Sequence, residues 1–92
     1  MLFHFYCTDK PNSTALRLAT RPEHLKYIDA HRAKFMIGGP ALAEDGQTML
    51  GIIFIMEHAD RAAAEAYAAA DPYAKAGLFE SVVIRPFKKV LP

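Results

Sequence analysis

The sequence has one cysteine, no block of like charge and no long apolar run. A lone Cys7 excludes an internal disulfide and a CxxC pair, and it favours a reduced, cytosolic setting over secretion. The first residues lack the basic region and apolar stretch of a signal peptide, and no segment is apolar for long enough to predict a transmembrane helix. We therefore expect a cytoplasmic protein with no membrane partner.

Charge is balanced, since 11 Lys and Arg against 10 Asp and Glu leave a formal net charge of +1. Proteins that bind nucleic acids or anionic membranes concentrate basic residues on one surface, so this balance argues against both partners. An RNA-recognition motif would also place basic and aromatic side chains on its third strand. Residues 50–57 carry Ile and Met instead.

Motifs for metals and phosphates are also missing. A zinc site would have to use His24, His31 and His58, but His24 and His31 are seven residues apart and the sequence has no HxxxH or HExxH spacing. No Gly-rich loop joins a predicted strand to a helix in the pattern that cradles phosphates. We therefore expect no metal and no nucleotide or other cofactor.

The length of 92 residues and the hydrophobic fraction of 52% predict one globular domain over residues 1–92. From the scaling of surface with mass, a chain of this size buries only about 64% of its surface on folding. Because such a core is marginal, the size favours association with a partner.

The first half of the chain predicts a strand followed by helices. Residues 2–8 are aromatic-rich and free of Gly and Pro, which is typical of a strand. Residues 13–34 have helical periodicity, but Pro22 disfavours helical geometry at Arg21, so we expect a short and then a longer helix. Residues 20–23 match a capping box for the longer one.

The longer helix has a predicted apolar stripe of Leu25, Ile28 and Phe35. His24 and Arg32 flank that stripe at about 100° per residue, so they lie between core and solvent. Both side chains are therefore placed to reach whatever the helix packs against.

Two further strands follow. Residues 35–37 predict a short strand that ends, with a bulge, at Gly38-Gly39-Pro40. Residues 50–57 are apolar on both faces, with Ile53 and Ile55 pointing one way and the even-numbered residues the other. This pattern predicts a central strand that is buried on both sides.

The last third predicts a helix, a turn and a fourth strand. Asp60 is placed to cap a helix over 61–70, and Asp71-Pro72 ends it. We expect an alanine face to pack closely on a sheet: Ala62, Ala63, Ala66, Ala69 and Ala70. Gly77 can close the turn before a strand over 79–87.

The element order is therefore β-α-β-β-α-β, which predicts a ferredoxin-like α+β fold with a four-stranded antiparallel sheet and helices on one face. The other face has no helix to cover it, although strands one, three and four carry apolar side chains on both faces. We expect a sheet-to-sheet homodimer to bury it, because even several hundred Å² at about 25 cal/mol per Å² outweighs the modest stability of a small monomer.

Four motifs, in order along the chain, carry a family resemblance. They are Asp9…Arg17…Arg21-Pro22-Glu23-His24-Leu25, then Gly38-Gly39-Pro40, then Asp71-Pro72-Tyr73 with Ala76-Gly77-Leu78-Phe79, and Arg85-Pro86-Phe87-Lys88-Lys89-Val90. Together they span nearly the whole chain, which resembles the YciI-like family. One departure is a short loop after Gly38-Gly39-Pro40, where some members carry an insertion that would alter the pocket rim.

The resemblance implies a dimeric α+β barrel whose proposed active centre is a His-Asp pair, at His24 and Asp71 here. Some members look like cofactor-free enzymes that act on small cyclic or chlorinated aromatic metabolites, including a dehydrochlorinase. Each of the two residues also has a purely structural interpretation. His24 can be a packed histidine bonded to a carbonyl, and Asp71 can be an N-cap before Pro72. A capping carboxylate stays ionised, so Asp71 is suited to orient the His24 ring as a general base.

Four more residues are candidates for substrate binding. Arg17 would bind a carboxylate or phenolate, unless it is a surface arginine. Tyr73 would line the pocket with its hydroxyl or anchor the short helix. Gly38 and Gly39 would bring bare backbone to a ligand or bend a strand. The remaining chemistry-bearing side chains are interpreted as structural or solvent-facing, with His4 serving the sheet or the dimer: His4, His31, His58 and Cys7.

Two functions of different class follow. The first is a cofactor-independent lyase or isomerase in which His24 abstracts a proton from a small cyclic or aromatic acid, with Asp71 as its partner. The second is a non-catalytic dimer that binds a small metabolite, or is regulated by it, through the same pair. Monooxygenases of the related dimeric barrel class are a third, weaker alternative.

Overall fold

The computed structural model describes all 92 residues and has a four-stranded antiparallel sheet at its centre. The strands are β1 (Leu2–Asp9), β2 (Phe35–Leu42), β3 (Met49–Glu57) and β4 (Phe79–Phe87). Their order across the sheet is β2-β3-β1-β4, so β1 and β3 are central and the other two are edges. The helices are α1 (Thr14–Ala30), α2 (Arg61–Ala70) and the short α3 (Pro72–Lys75). The predicted ferredoxin-like order is confirmed.

The core lies between one face of the sheet and α2. Alternate residues of β1 and β3 point into it, as the period of two requires: Phe3, Phe5, Cys7, Ile52, Phe54 and Met56. The rings of Phe5 and Phe54 stack at 4.4 Å, and Tyr67 of α2 meets both edge-on. Tyr67 therefore links the helix to the two central strands.

The bounds predicted for α2 and its N-cap at Asp60 are confirmed. The prediction of which side of this helix faces the sheet is wrong. The buried residues are Ala64, Tyr67 and Ala68, at spacings of three and four, and none of the five alanines expected to face the sheet is buried. The reason is the size of Tyr67, whose ring gains far more from burial than a methyl group. The helix is rotated so that this ring enters the core.

The predicted break at Arg21-Pro22 is also wrong, because α1 continues without interruption through Pro22. Thr20 does not form the expected capping box, since its Oγ1 donates to the Leu16 carbonyl instead. Pro22 cannot donate to the Leu18 carbonyl, but Leu18 and Pro22 are both exposed, so water can solvate that carbonyl. The helix therefore tolerates the proline.

The apolar stripe predicted for α1 does not form. Leu25 is 41% exposed, and Phe35 belongs to β2 rather than to the helix. The two residues that α1 buries are Arg17 and His24. This helix therefore turns a polar pair toward the sheet, whereas α2 turns an aromatic ring.

Strand β2 does not stop at the Gly38-Gly39-Pro40 segment but runs through it to Leu42. Pro40 is tolerated because β2 is an edge strand. Such a strand has a hydrogen-bonded neighbour on one side only, so the missing N–H does not interrupt pairing with a second strand. The irregularities in register lie on either side of the glycines, between Phe35 and Ile37 and between Ala41 and Leu42. A Cβ at Gly38 would lie 3.0 Å from that of Phe54, whereas one at Gly39 would meet nothing within 4 Å.

The second face of the sheet has no helix on it. Tyr6 is 47% exposed and Ile53 45% exposed, and Ile37 lies beside them on the edge strand. Within one chain, β3 is thus buried on its core face only, so the expected burial of both faces is not met by the protomer. None of the helices is both long and apolar enough to cross a lipid bilayer.

Candidate active site

The structure brings His24 of α1 against Asp71, which lies between α2 and α3. His24 Nδ1 is 2.9 Å from Asp71 Oδ1 and 3.1 Å from Oδ2. Both residues are buried, with 4% and 2% of their surface exposed. The contact expected from the sequence is therefore present, and it joins residues 47 positions apart.

Asp71 is held by the chain that surrounds it. It ends α2, and as the N-cap of α3 it accepts the backbone N–H of Tyr73 on Oδ1 at 2.9 Å, with Pro72 in the first turn. Gly77, at φ +76°, closes that short helix as predicted. The capping interpretation and the contact with His24 thus hold together, because one carboxylate has lone pairs enough for both.

This geometry determines the tautomer of His24. A carboxylate only accepts hydrogen bonds, so Nδ1 carries the hydrogen and Nε2 of the neutral ring has a free lone pair. Nε2 has no hydrogen-bond partner in the chain, and it is not among the buried polar atoms that lack one. It is therefore the basic atom that His24 presents to a ligand.

The ring of His24 borders a cavity of about 390 Å³ between α1 and strands β2 and β3. This volume lies in the range of small-molecule sites. Five of the six candidate residues line it, and Asp71 lies behind His24: Arg17, His24, Gly38, Gly39 and Tyr73. The structure thus groups all six candidates, while their roles toward a ligand stay predictions.

Tyr73 is part of this cluster. Its ring stacks on that of His24 with centroids 3.9 Å apart and an interplanar angle of 16°. Its hydroxyl accepts a hydrogen bond from Arg17 Nη1 at 3.3 Å. Burial raises the pKa of Tyr73, with the charges of Arg17 and Arg21 acting in the opposite direction, so the hydroxyl is protonated at neutral pH.

Arg17 is not the surface arginine that was one of its two interpretations, since only 5% of it is exposed. Its Nε donates to Asp9 Oδ2 and its Nη2 to the carbonyl of Gly51, both at 2.8 Å. Gly51 is required there, because a Cβ would lie 2.0 Å from the Cys7 carbonyl oxygen. The guanidinium is thereby fixed between the end of β1, the start of β3 and Tyr73.

Several further residues line this cavity for which no ligand-binding role was predicted. The apolar ones include Ile28, Ile52 and Phe54, and the charged ones are Arg21 and Arg32. Arg21 had a detectable signal, because it stands four residues after Arg17 and three before His24, on one face of α1. The lining residues from β2 and β3 had no such signal in the sequence, because their place at the cavity depends on how the two strands pair.

The other histidines and the cysteine lie outside the cavity lining, and His58 and Cys7 are structural as expected. His58 is buried, with its ring near those of Phe5 and Tyr67. Burial raises the pKa of Cys7 to about 12, so its thiol is not ionised. His31 bonds through Nδ1 to the Tyr27 carbonyl. No three His, Cys, Asp or Glu side chains come together in a way that could hold a metal ion.

The fold and the site define a class: a small ferredoxin-like α+β protein with a buried His–carboxylate pair beside a small-molecule cavity. A family model for the YCII-related domain matches residues 1–88. The chain belongs to this family.

Curated relatives agree with that assignment. Protein YciI of Escherichia coli is 37% identical, in an alignment that covers 98% of this chain and 99% of the relative. An uncharacterized protein of Haemophilus influenzae is 33% identical with the same coverage. The likeness therefore spans the length of both partners.

Two solved structures are also similar. The 5-chloro-2-hydroxyhydroquinone dehydrochlorinase TftG of Burkholderia phenoliruptrix, in complex with 2,5-dihydroxybenzoquinone, has a TM-score of 0.87 and 33% identity, covering 96% of this chain and 94% of that one. An antibiotic biosynthesis monooxygenase has a TM-score of 0.52 and 17% identity, covering 97% of this chain and 100% of that one. The second likeness concerns the fold alone.

Proposed function

We propose that this protein is a cofactor-independent enzyme of the lyase or isomerase type, in which His24 is the general base. Its substrate is a small cyclic or aromatic acid. The observation that carries the proposal is the buried contact of His24 Nδ1 with Asp71, which leaves Nε2 free at the cavity.

The chemistry follows from the two ring nitrogens. Nε2 takes a proton from the substrate, and Asp71 stabilises the resulting imidazolium through Nδ1–H. In the elimination from a chlorinated hydroquinone, one hydroxyl first passes its proton to the chlorine-bearing ring carbon next to it, which gives a keto tautomer. Nε2 then takes the proton of the para hydroxyl, the ring electrons shift to form the quinone, and chloride leaves. In an isomerisation, the imidazolium returns the proton to another carbon. General-base catalysis of this kind contributes roughly 10²–10⁴ in rate.

The similarity to TftG supports the elimination. TftG is a dehydrochlorinase, and its structure holds a one-ring quinone. The cavity of about 390 Å³ beside His24 has room for a ligand of that size. We infer that a chlorinated hydroquinone is the first compound class to assay.

The decisive variants separate catalysis from capping. His24→Ala removes the base, so chloride release from chlorinated hydroquinones should fall at least about 100-fold. Asp71→Asn keeps a good N-cap but loses the carboxylate that orients the ring, so activity should fall comparably while the helix content is retained. His31→Ala, outside the cavity, is the matched control and should keep full activity.

The same assay separates the two functional hypotheses. If the wild-type protein binds 2,5-dihydroxybenzoquinone and turns over no member of a panel of chlorinated hydroquinones and ring lactones, the non-catalytic binding alternative replaces the enzyme. Full activity in His24→Ala would also overturn the assigned base, because no other histidine lines the cavity.

We also propose that the protein is a homodimer through the helix-free face of the sheet. The support is the apolar surface left on that face, including Tyr6, Ile37 and Ile53. Isolated apolar residues are common on surfaces, but neighbouring ones across three strands indicate an interface. Sedimentation should show a dimer at micromolar concentration and a monomer for Ile53→Lys. A wild-type monomer at that concentration would contradict the proposal.

A further inference from the structure

We propose that the cavity selects an anion, and that Arg21 and the hydroxyl of Tyr73 bind the acidic oxygen of the ligand. His24, the general base of the proposed reaction, lies about one turn of α1 after Arg21. The inference deepens the proposed function and rests on it only for the identity of the reacting group.

The first observation is the pairing of the charges around the cavity. No Asp or Glu lines it, but four cationic or basic side chains do: Arg17, Arg21, His24 and Arg32. Three of the four have a carboxylate partner within the chain, in the pairs Arg17–Asp9, His24–Asp71 and Arg32–Asp29. Arg21 has none. A guanidinium without a partner at a cavity is complementary to a carboxylate or phenolate.

The second observation is the direction of the Tyr73 hydroxyl. Its oxygen accepts from Arg17 Nη1 at 3.3 Å, and a guanidinium cannot accept a hydrogen bond in return. No acceptor in the chain takes the hydrogen of this hydroxyl, and Tyr73 lines the cavity. The hydroxyl hydrogen therefore has no acceptor within the chain, and Arg17 makes it a stronger donor.

Arg21 and Tyr73 line the same cavity. The positive charge of Arg21 acts to lower the pKa of Tyr73 against the larger effect of burial, which is in keeping with that placement. In the proposed complex, one anionic oxygen accepts a charged hydrogen bond from Arg21 and a neutral one from Tyr73.

The spacing along α1 and the volume of the cavity limit the size of the ligand. Arg21 and His24 are three residues apart, so their Cβ atoms lie about 5–6 Å from each other on one face of the helix. Both line the cavity of about 390 Å³, which has room for a ligand of one ring. The geometry therefore points to a one-ring acid whose acidic group lies at Arg21 and whose reacting atom lies at His24 Nε2.

Binding of two probes tests the selection of charge. Hydroquinone and 2,5-dihydroxybenzoate share a ring and two hydroxyls, and only the second carries a carboxylate. Calorimetry should show the carboxylate bound at least about tenfold more tightly by the wild-type protein, as expected for one hydrogen bond to a charged group. Arg21→Gln should abolish this preference. Arg61→Gln removes the same charge outside the cavity and should retain it.

A second pair of variants tests the hydroxyl. Tyr73→Phe keeps the ring that stacks on His24 and loses only the donor, so 2,5-dihydroxybenzoate should bind about 5- to 10-fold more weakly. Tyr67→Phe, which removes a buried hydroxyl outside the cavity, should bind it like the wild type. Circular dichroism of each variant confirms that the fold is kept.

Three results would overturn the inference: equal affinity for the two probes, binding of neither, or an unchanged preference in Arg21→Gln. These outcomes differ from a failure of the proposed enzyme. A wild-type protein that prefers the carboxylate probe and turns over no substrate would retain the anion site and lose the catalytic role of His24.

Discussion

The sheet carries two helices on the same face, and the two contacts differ in kind. Below α2, the ring of Tyr67 packs edge-on against Phe5 and Phe54 in a continuous apolar core. Below α1, the buried side chains are Arg17 and His24, and a cavity separates the helix from β2 and β3. One helix therefore stabilises the fold, and the other forms the site.

The difference shows how a small protein combines a stable core with a polar cavity. Burying a charge costs free energy unless a partner compensates it. Asp9 from the end of β1 compensates Arg17, and Asp71 from the α2–α3 junction orients His24. The partners come from the packed part of the molecule, so the core positions the site.

Truncation of one apolar side chain below each helix should reveal the largest contrast. Tyr67→Ala opens a cavity among core aromatics and should lower the free energy of unfolding by about 3–5 kcal/mol. Ile28→Ala enlarges a space that is already open and should cost less than the roughly 2–5 kcal/mol that the same change costs in a packed core. Denaturant titrations at one fixed protomer concentration measure both. Equal losses would show that α1 contributes to the core as much as α2.

Two glycines of neighbouring strands provide the second contrast. Gly51→Ala places a Cβ 2.0 Å from the Cys7 carbonyl oxygen and shifts the carbonyl that holds Arg17, so it should lower stability by about 1–3 kcal/mol. Gly39→Ala meets no atom within 4 Å and should change stability by at most about 0.5 kcal/mol. Thermal unfolding of the two variants checks this order, and its reversal would refute the close contact at Gly51.

Two buried histidines sharpen the comparison further. His24 has a carboxylate, whereas Nε2 of His58, on the packed side, has no partner. Burial lowers the pKa of His58 from 6.5, and the charges around it act in both directions: Lys34, His31 and the N-terminal ammonium lower it, and Glu57 raises it. The neutral form is therefore favoured in the folded state.

The sign of the pH effect follows from that shift. Above pH 6.5 the stabilisation by neutral His58 is complete, and it is lost as the pH falls below 6.5, because the unfolded chain then binds a proton that the folded chain resists. His58→Phe should remove up to about 1.4 kcal/mol per pH unit from the slope of unfolding free energy between pH 6.5 and 5. Identical slopes for the variant and the wild type would contradict the assignment.

Local signals in the sequence were reliable where the chain decides its own geometry. Asp60 and Asp71 cap helices, and Gly77 adopts a positive φ, because capping and turn formation depend on a few adjacent residues. Signals that depend on solvent or on neighbours failed. Pro22 does not break α1, because the carbonyl it leaves unpaired lies on an exposed side.

Part of the site could be predicted from the sequence, but the contacts that hold it could not. The family resemblance implied His24 with Asp71 as its partner, and the structure places them in contact. Nothing in the local pattern showed that Asp9 and the Gly51 carbonyl fix Arg17, or that Arg21 is the unpaired charge at the cavity. Those relations join β1, α1 and β3, so they depend on strand pairing.

The amino-acid order alone determined the alternation of strands and helices, the caps at Asp60 and Asp71, and the choice of a ferredoxin-like topology, because periodicity and turn chemistry act over a few residues. Only the folded chain decided that α2 faces the core through Tyr67 while α1 presents Arg17 and His24 to a cavity. The rotation of each helix is the outcome of competition among all its side chains for the same sheet, and burial of an aromatic ring or pairing of a charge outweighs the preference of any single residue.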